Sequence, residues 1–248
     1  QDQINYVSKP DNGQSDAINK GWKRCKGDIV TWLCADDLYY PETVQTIVTA
    51  LQNHPDMMWI YGHATHIDKD GNPFPFRNPT LEWNYQQLLE HGNYIIQPTV
   101  FIRHEILNTV GYVREDLHYS MDYEYWLRIG QQFPALHIPD QIAIVRYYAE
   151  NKSASGGIKR LNELEQLIHA YGGYEIPEGF RHDWTRIYLN EILRNLTRGN
   201  IKQPGGIVSR AGRYPGHLPR AMAKNILNVL PDAASLRLRQ IFISRKHT

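Results

Sequence analysis

The sequence predicts an α/β fold followed by a C-terminal helical region. Three observations carry that prediction. Short apolar runs with β-branched and aromatic residues alternate with helical patterns as far as Tyr148. Beyond Ala149 a polar stretch with Ser153, Ser155, Gly156 and Gly157 leads only into helical patterns. The charge also divides: residues 1–180 hold 14 Lys and Arg against 23 Asp and Glu, a net of −9, and residues 181–248 hold 13 against 3, a net of +10. The overall +1 is their cancellation.

The 248 residues are 42% hydrophobic and 21% charged, which excludes disordered, collagen-like and coiled-coil chains. The length suits one α/β domain, or one domain with a helical appendage. No apolar run reaches the roughly 18 residues of a membrane span, so the expected chain does not cross a bilayer. The two cysteines, Cys25 and Cys34, are too few for a disulfide framework or a four-ligand zinc site. They read as reduced, buried thiols of a cytoplasmic protein.

Ile4–Ser8 reads as a short strand, and Pro10, Asn12 and Gly13 as a turn. Ser15 or Asp16 can cap a helix to about Cys25. Ile29–Cys34 is a continuous apolar run, the mark of a strand buried on both faces, and it ends in Ala35-Asp36-Asp37. Pro41 suits the first turn of a helix to about His54, with Val44, Ile47, Val48 and Leu51 on one face. Met57–Gly62 is a second buried strand, and Asp68–Gly71 a hairpin turn. A helix over Leu81–His91, a strand over Thr99–Arg103 and a short helix over His104–Val110, stopped by Gly111, come next. A helix over Asp122–Phe133 and a strand over Gln141–Tyr148 complete this part. The alternation predicts a mainly parallel sheet covered on both sides. Helices at about 158–171 and 180–198, a Pro/Gly loop from Pro204 to Gly216, and helices at about 218–230 and 233–244 follow.

Three stretches can carry chemistry. Asp36-Asp37 stands at the carboxyl end of a buried strand, where open α/β sheets bind ligands. Adjacent carboxylates repel, and a divalent cation such as Mg²⁺ or Mn²⁺ relieves that repulsion; a solvated turn before a capped helix is the plain alternative. Asp122 opens a helix with Glu124 two residues on, and the two point in different directions. At most one is a general base, and helix capping explains Asp122 equally. Asp11–Gly21 (DNGQSDAINKG) places a glycine turn before a polar helix start, which can hold an anion or a ribose, or simply cap the helix. His63 and His66, an H-x-x-H pair on extended chain without cysteine partners, read as structural.

Taken in order, DNGQSDAINKG (11–21), GDIVTWLCADDLYYPET (27–43), WIYGHATHID (59–68), QPTVFIR (97–103), VGYVRED (110–116) and MDYEYWLR (121–128) resemble the family 2 inverting glycosyltransferases. The resemblance covers about residues 3–155. It implies a GT-A fold, a Rossmann-like three-layer sandwich, as a partial catalytic domain over 1–155 with a basic helical region over 156–248. It implies that Asp37 ligates Mn²⁺ or Mg²⁺ and that Asp36 contacts the donor's ribose or the metal. It implies Asp122 as the catalytic base and Asp16 and Asn19 as residues beside the nucleotide. The reaction implied is attack of an acceptor hydroxyl, on a glycan or a lipid-linked molecule, at the anomeric carbon of a nucleotide sugar, as in polysaccharide or glycoconjugate biosynthesis.

The sequence departs from the family pattern in four places. Met121 replaces the usual first acid of the Glu-Asp motif, and His63 follows Gly62 where Asp is frequent. Arg146-Tyr147-Tyr148 stands where the family often has Arg-x-His; a His there can help the metal, and Tyr148 is a poor substitute. The family's opening βαβ stretch has no counterpart, an expected absence on the order of 60 residues.

The basic C-terminal part supports a separate expectation. Residues 218–246 form amphipathic helical patterns with Arg and Lys opposite Leu, Ile and Val. Such helices suit docking on the acidic body or on a second copy, or lying on the inner, anionic face of a membrane. Nucleic acid is not an expected partner, since aromatic residues are not interleaved with the charges. Two other functions fit the sequence: a non-catalytic nucleotide-sugar or glycan-binding relative, and a membrane-surface assembly module.

Overall fold

The computed structural model describes residues 5–75, 79–148, 150–197, 204–211 and 213–214. Their elements run α1 (Gln14–Trp22), β1 (Ile29–Val30), β2 (Leu38–Tyr39), α2 (Thr43–Asn53), β3 (Trp59–Ile67) and β4 (Pro73–Phe74). Then come α3 (Tyr85–His91), a 3₁₀ turn (Gln97–Thr99), β5 (Phe101–Arg103), α4 (Glu105–Thr109), α5 (Met121–Gly130) and β6 (Leu136–Arg146). α6 (Lys152–Ser155), α7 (Gly157–Ala170), α8 (Glu178–Thr197) and α9 (Pro204–Ala211) follow. By their contacts the residues form two compact units, one from 1–89 with 93–155, the other from 90–92 with 156–248.

In the first unit the strands form one sheet in the order β1-β5-β3-β6-β2, with β4 on β3. The expectation of a mainly parallel sheet is corrected: among the described residues only β3 and β6 run parallel, and the other four pairings are antiparallel. An apolar run reports burial on both faces, but connection geometry sets strand direction. β3 alternates between two cores, as a pleated strand must. Ile60 joins Ile47 and Leu51 of α2, Phe101 and Ile142 on one face. Trp59 stacks on Trp126 of α5 on the other, ring centroids 5.8 Å apart, and Trp126 in turn stacks on Trp32 at 5.5 Å. Helices therefore cover both faces, in three layers.

Several local expectations change. Residues 5–8 form no strand, and Tyr6 is 85% exposed, because no strand of the sheet pairs with them. The strand expected over Ile29–Cys34 stops at Val30. Beyond it, side chains replace the ladder: Thr31 Oγ1 donates to Val100 O at 2.7 Å, and the Trp22 indole donates to Thr31 O at 3.1 Å. In α2 the inward positions are Thr43, Ile47 and Leu51, at a spacing of four, while Val44 is exposed. β6 begins five residues earlier than expected, and it bulges where it pairs β3. Tyr61 pairs His137, yet His63 pairs Gln141. The turn at Asp68–Gly71 closes as expected, joining β3 to β4.

In the second unit α7 buries Leu161, Leu164, Leu167 and Ile168, a helical stripe. Trp184 of α8 is fully buried, and its indole donates to Arg210 O of α9 at 2.8 Å. α9 occupies the start of the expected Pro/Gly loop, with Pro204 at its first position, where a missing amide costs nothing. The helices expected at 218–230 and 233–244 lie outside the described residues. No helix among the described residues is long and apolar enough to cross a membrane.

Candidate active site

After Val30 the chain leaves the sheet and turns, the Asp37 amide donating to Cys34 O at 3.2 Å. The turn gathers three ligand-bearing groups: the Cys34 thiol and the Asp36 and Asp37 carboxylates present atoms all within 4.8 Å of one another. Asp37 is buried, and its Oδ1 accepts from the Arg146 amide at the end of β6, at 3.2 Å. Burial, aided by Asp36 and opposed by that amide, lifts its carboxyl to about 6. Asp36 is half-buried, and Tyr148 Oη donates to its Oδ2 at 3.1 Å. Burial also pushes the Cys34 thiol up to about 11, with the negative charges of Asp37, Asp36 and Asp122 adding to it. Two carboxylates form a donor set that suits a hard divalent cation such as Mg²⁺ or Mn²⁺, with the neutral thiol as its odd member.

A polar chain borders the cluster. Lys152 Nζ donates to Gln14 Oε1 at 3.1 Å, and Gln14 Nε2 donates to Cys34 Sγ at 3.5 Å. Cys34 in turn faces Gln97 Oε1 at 3.7 Å, and Gln97 Nε2 donates to Trp32 O at 2.7 Å.

α5 separates its two acids. Asp122, in the first turn, is half-buried, and its Oδ2 accepts from Asn93 Nδ2 at 3.4 Å. Glu124 is 1% exposed and bound through both oxygens by Arg128, at 2.9 and 3.0 Å. Arg128 also donates to Val110 O and Tyr112 O, so Glu124 holds α5 to the Gly111 turn and is committed to structure. The negative charge of Asp122 also helps raise the Cys34 thiol. Met121 accepts at Sδ from the buried Ser15 hydroxyl at 2.8 Å and so joins α5 to α1.

On α1, Asp16 accepts from the Asn12 amide at 2.8 Å and from Lys20 Nζ at 2.7 Å; these bonds hold its carboxyl below the usual range. Asn19 Nδ2 donates to Val113 O and Glu115 Oε1, both at 2.9 Å. Both side chains are buried and fix α1 against the loops beside it. His63 and His66 stand on β3: the His63 ring meets that of His137, centroids 5.0 Å apart, and burial lowers the pKa of both.

The sequence reading did not single out Cys34, Gln14, Gln97 or Asn93 for the site, and it weighed Tyr148 only as a poor substitute for a histidine. One signal was available for Cys34, since extended chain turns residues i and i+2 to one side and Cys34 precedes Asp36 by two. Asn93 arrives from remote sequence and gave none, while Gln97 opens the QPTVFIR stretch and Tyr148 stands where the family often has a histidine.

The sequence profile described as glycosyl transferase family 2 matches residues 1–111. An uncharacterized glycosyltransferase of Rickettsia conorii is 30% identical over 191 residues, 71% of this chain and 30% of that protein. The chain thus spans about a third of the length of that relative. The amylovoran biosynthesis glycosyltransferase AmsE of Erwinia amylovora is 26% identical over 188 residues, 75% of this chain and 68% of AmsE. Residues 1–349 of S. aureus TarS, solved in complex with UDP-GlcNAc, align with a TM-score of 0.54 at 12% identity, covering 96% of this chain and 70% of that one. At that identity the likeness speaks for the fold, which is GT-A. Over residues 1–111 the chain matches glycosyl transferase family 2, and its curated relatives support that family for it.

Proposed function

We propose that the protein transfers a sugar from a nucleoside-diphosphate sugar to an acceptor hydroxyl with inversion at the anomeric carbon. The observation that carries this reading is the convergence of Cys34, Asp36 and Asp37 at one turn, with the Asp122 carboxylate held by Asn93 in the first turn of α5. Asp37 and Asp36 would hold Mn²⁺ or Mg²⁺. When bound, such a cation offsets the charge that develops on the leaving diphosphate. Asp122, oriented by Asn93, takes the proton from the acceptor hydroxyl as that oxygen attacks. Asp16 and Asn19 lie on the donor side and keep α1 in place, so that Gln14 reaches the cluster.

We assign residues 1–155 to catalysis and 156–248 to a helical region. The acceptor class, a glycan or a lipid-linked molecule, and a role in polysaccharide or glycoconjugate biosynthesis draw support from the amylovoran relative. The decisive experiment is Asp122→Asn. Turnover is expected to fall about 10²–10⁴-fold while donor affinity stays within a few-fold. Unchanged turnover would remove Asp122 as the base; absence of turnover in the parent, with donor still bound, would favour a non-catalytic binder.

A further inference from the structure

One segment grips both acids of the pair. As β6 ends, the Arg146 amide donates to Asp37 Oδ1 at 3.2 Å, and two residues later the Tyr148 hydroxyl donates to Asp36 Oδ2 at 3.1 Å. The segment is held in place on both sides of Tyr147. The Tyr147 amide donates to Ile67 O at 2.8 Å, continuing the ladder to β3. Asn151 closes the turn: its Oδ1 accepts from the Tyr148 amide, its Nδ2 donates to Arg146 O at 3.3 Å, and its amide donates to Tyr148 O at 3.1 Å. The Tyr148 ring therefore starts from a defined backbone.

Asp36 differs from Asp37. It sits half-buried in a turn, outside any helix or strand. A carboxylate there keeps rotamer freedom that a ligand must remove on binding. A hydrogen bond to one oxygen removes that freedom beforehand and leaves the other oxygen to face the cluster. Ligating carboxylates depend on such outer partners for orientation.

We infer that Tyr148 is a positioning residue for the divalent-cation site, acting through its hydroxyl on Asp36. The inference rests on the proposed cation role of Asp36 and Asp37. Tyr148→Phe keeps the ring and deletes only the donor, so it isolates the bond.

The test is Mn²⁺ titration of the full chain at pH 7.5, with free Mn²⁺ read by electron paramagnetic resonance and no donor present. The wild type, Tyr148→Phe and Asp37→Asn are compared. Tyr148→Phe is expected to weaken Mn²⁺ binding roughly tenfold, with an unchanged thermal midpoint in the absence of metal, and Asp37→Asn to lose most binding. Affinity within twofold of wild type, or tighter, in Tyr148→Phe overturns the inference and leaves the cation reading standing. A wild type that takes up no Mn²⁺ overturns both. A metal-free midpoint that falls with the affinity counts against positioning and for a general structural role.

Discussion

At the scale of single residues, Asp37 is held in a state that costs the folded protein something. Its ordinary carboxyl value of 3.8 rises to about 6 on folding, chiefly through burial. Between those values the folded chain binds the proton more tightly than the unfolded chain. Metal-free stability from this group therefore rises as pH falls through that window, and is lowest above it. A cation competes with the same proton. The thermal gain produced by Mn²⁺ is thus expected to be full at pH 7.5 and to shrink steadily from pH 6.5 to 5; a gain independent of pH would contradict the role given to Asp37. Glu124 presents the opposite case, a buried charge whose partner is in place. Glu124→Gln leaves the guanidinium of Arg128 without its counter-charge and is expected to cost about 3 kcal/mol. Chemical denaturation reads that loss, and turnover in the folded fraction is expected to persist.

At the scale of elements, the β3–β6 pair positions the site. β6 carries Arg146 to Asp37, and its register on β3 shifts at the bulge beside Gly62. A Cβ at Gly62 would lie 2.6 Å from Ile142 Cγ1 and 2.8 Å from Asp140 O. The main chain at Asp140 cannot yield without moving the bulge. Gly62→Ala is expected to cost about 2 kcal/mol, seen as a lower urea midpoint at unchanged slope. The helices were largely legible in sequence, because a stripe at helical spacing needs only its own residues to be recognised. α7 and α5 fall within a few residues of expectation. Strand ends were not. Ile29–Cys34 reads as one strand, but β5 supplies a ladder for only Ile29 and Val30. The remainder is held by Trp22 and Thr31, which no periodicity announces.

At the scale of the whole molecule, the charge divides into −9 over residues 1–180 and +10 over 181–248. The basic amphipathic stretch at 218–246 lies outside the described residues, so its partner is a matter for solution experiments. Vesicles with about a third anionic lipid are expected to sediment the protein at low salt and release it at high salt. Equal behaviour with neutral vesicles would favour docking on the acidic surface or on a second copy.

By itself the sequence determined the fold class, the main helices and the acids at issue. Apolar period and turn residues are local, and Asp36, Asp37 and Asp122 fall in motifs read from adjacent positions. Only the tertiary structure decided strand direction, committed Glu124 to Arg128, and brought Cys34, Gln97, Asn93 and Tyr148 to the site. Those outcomes depend on which distant chain segments come within 3 or 4 Å, and sequence spacing carries no such distance.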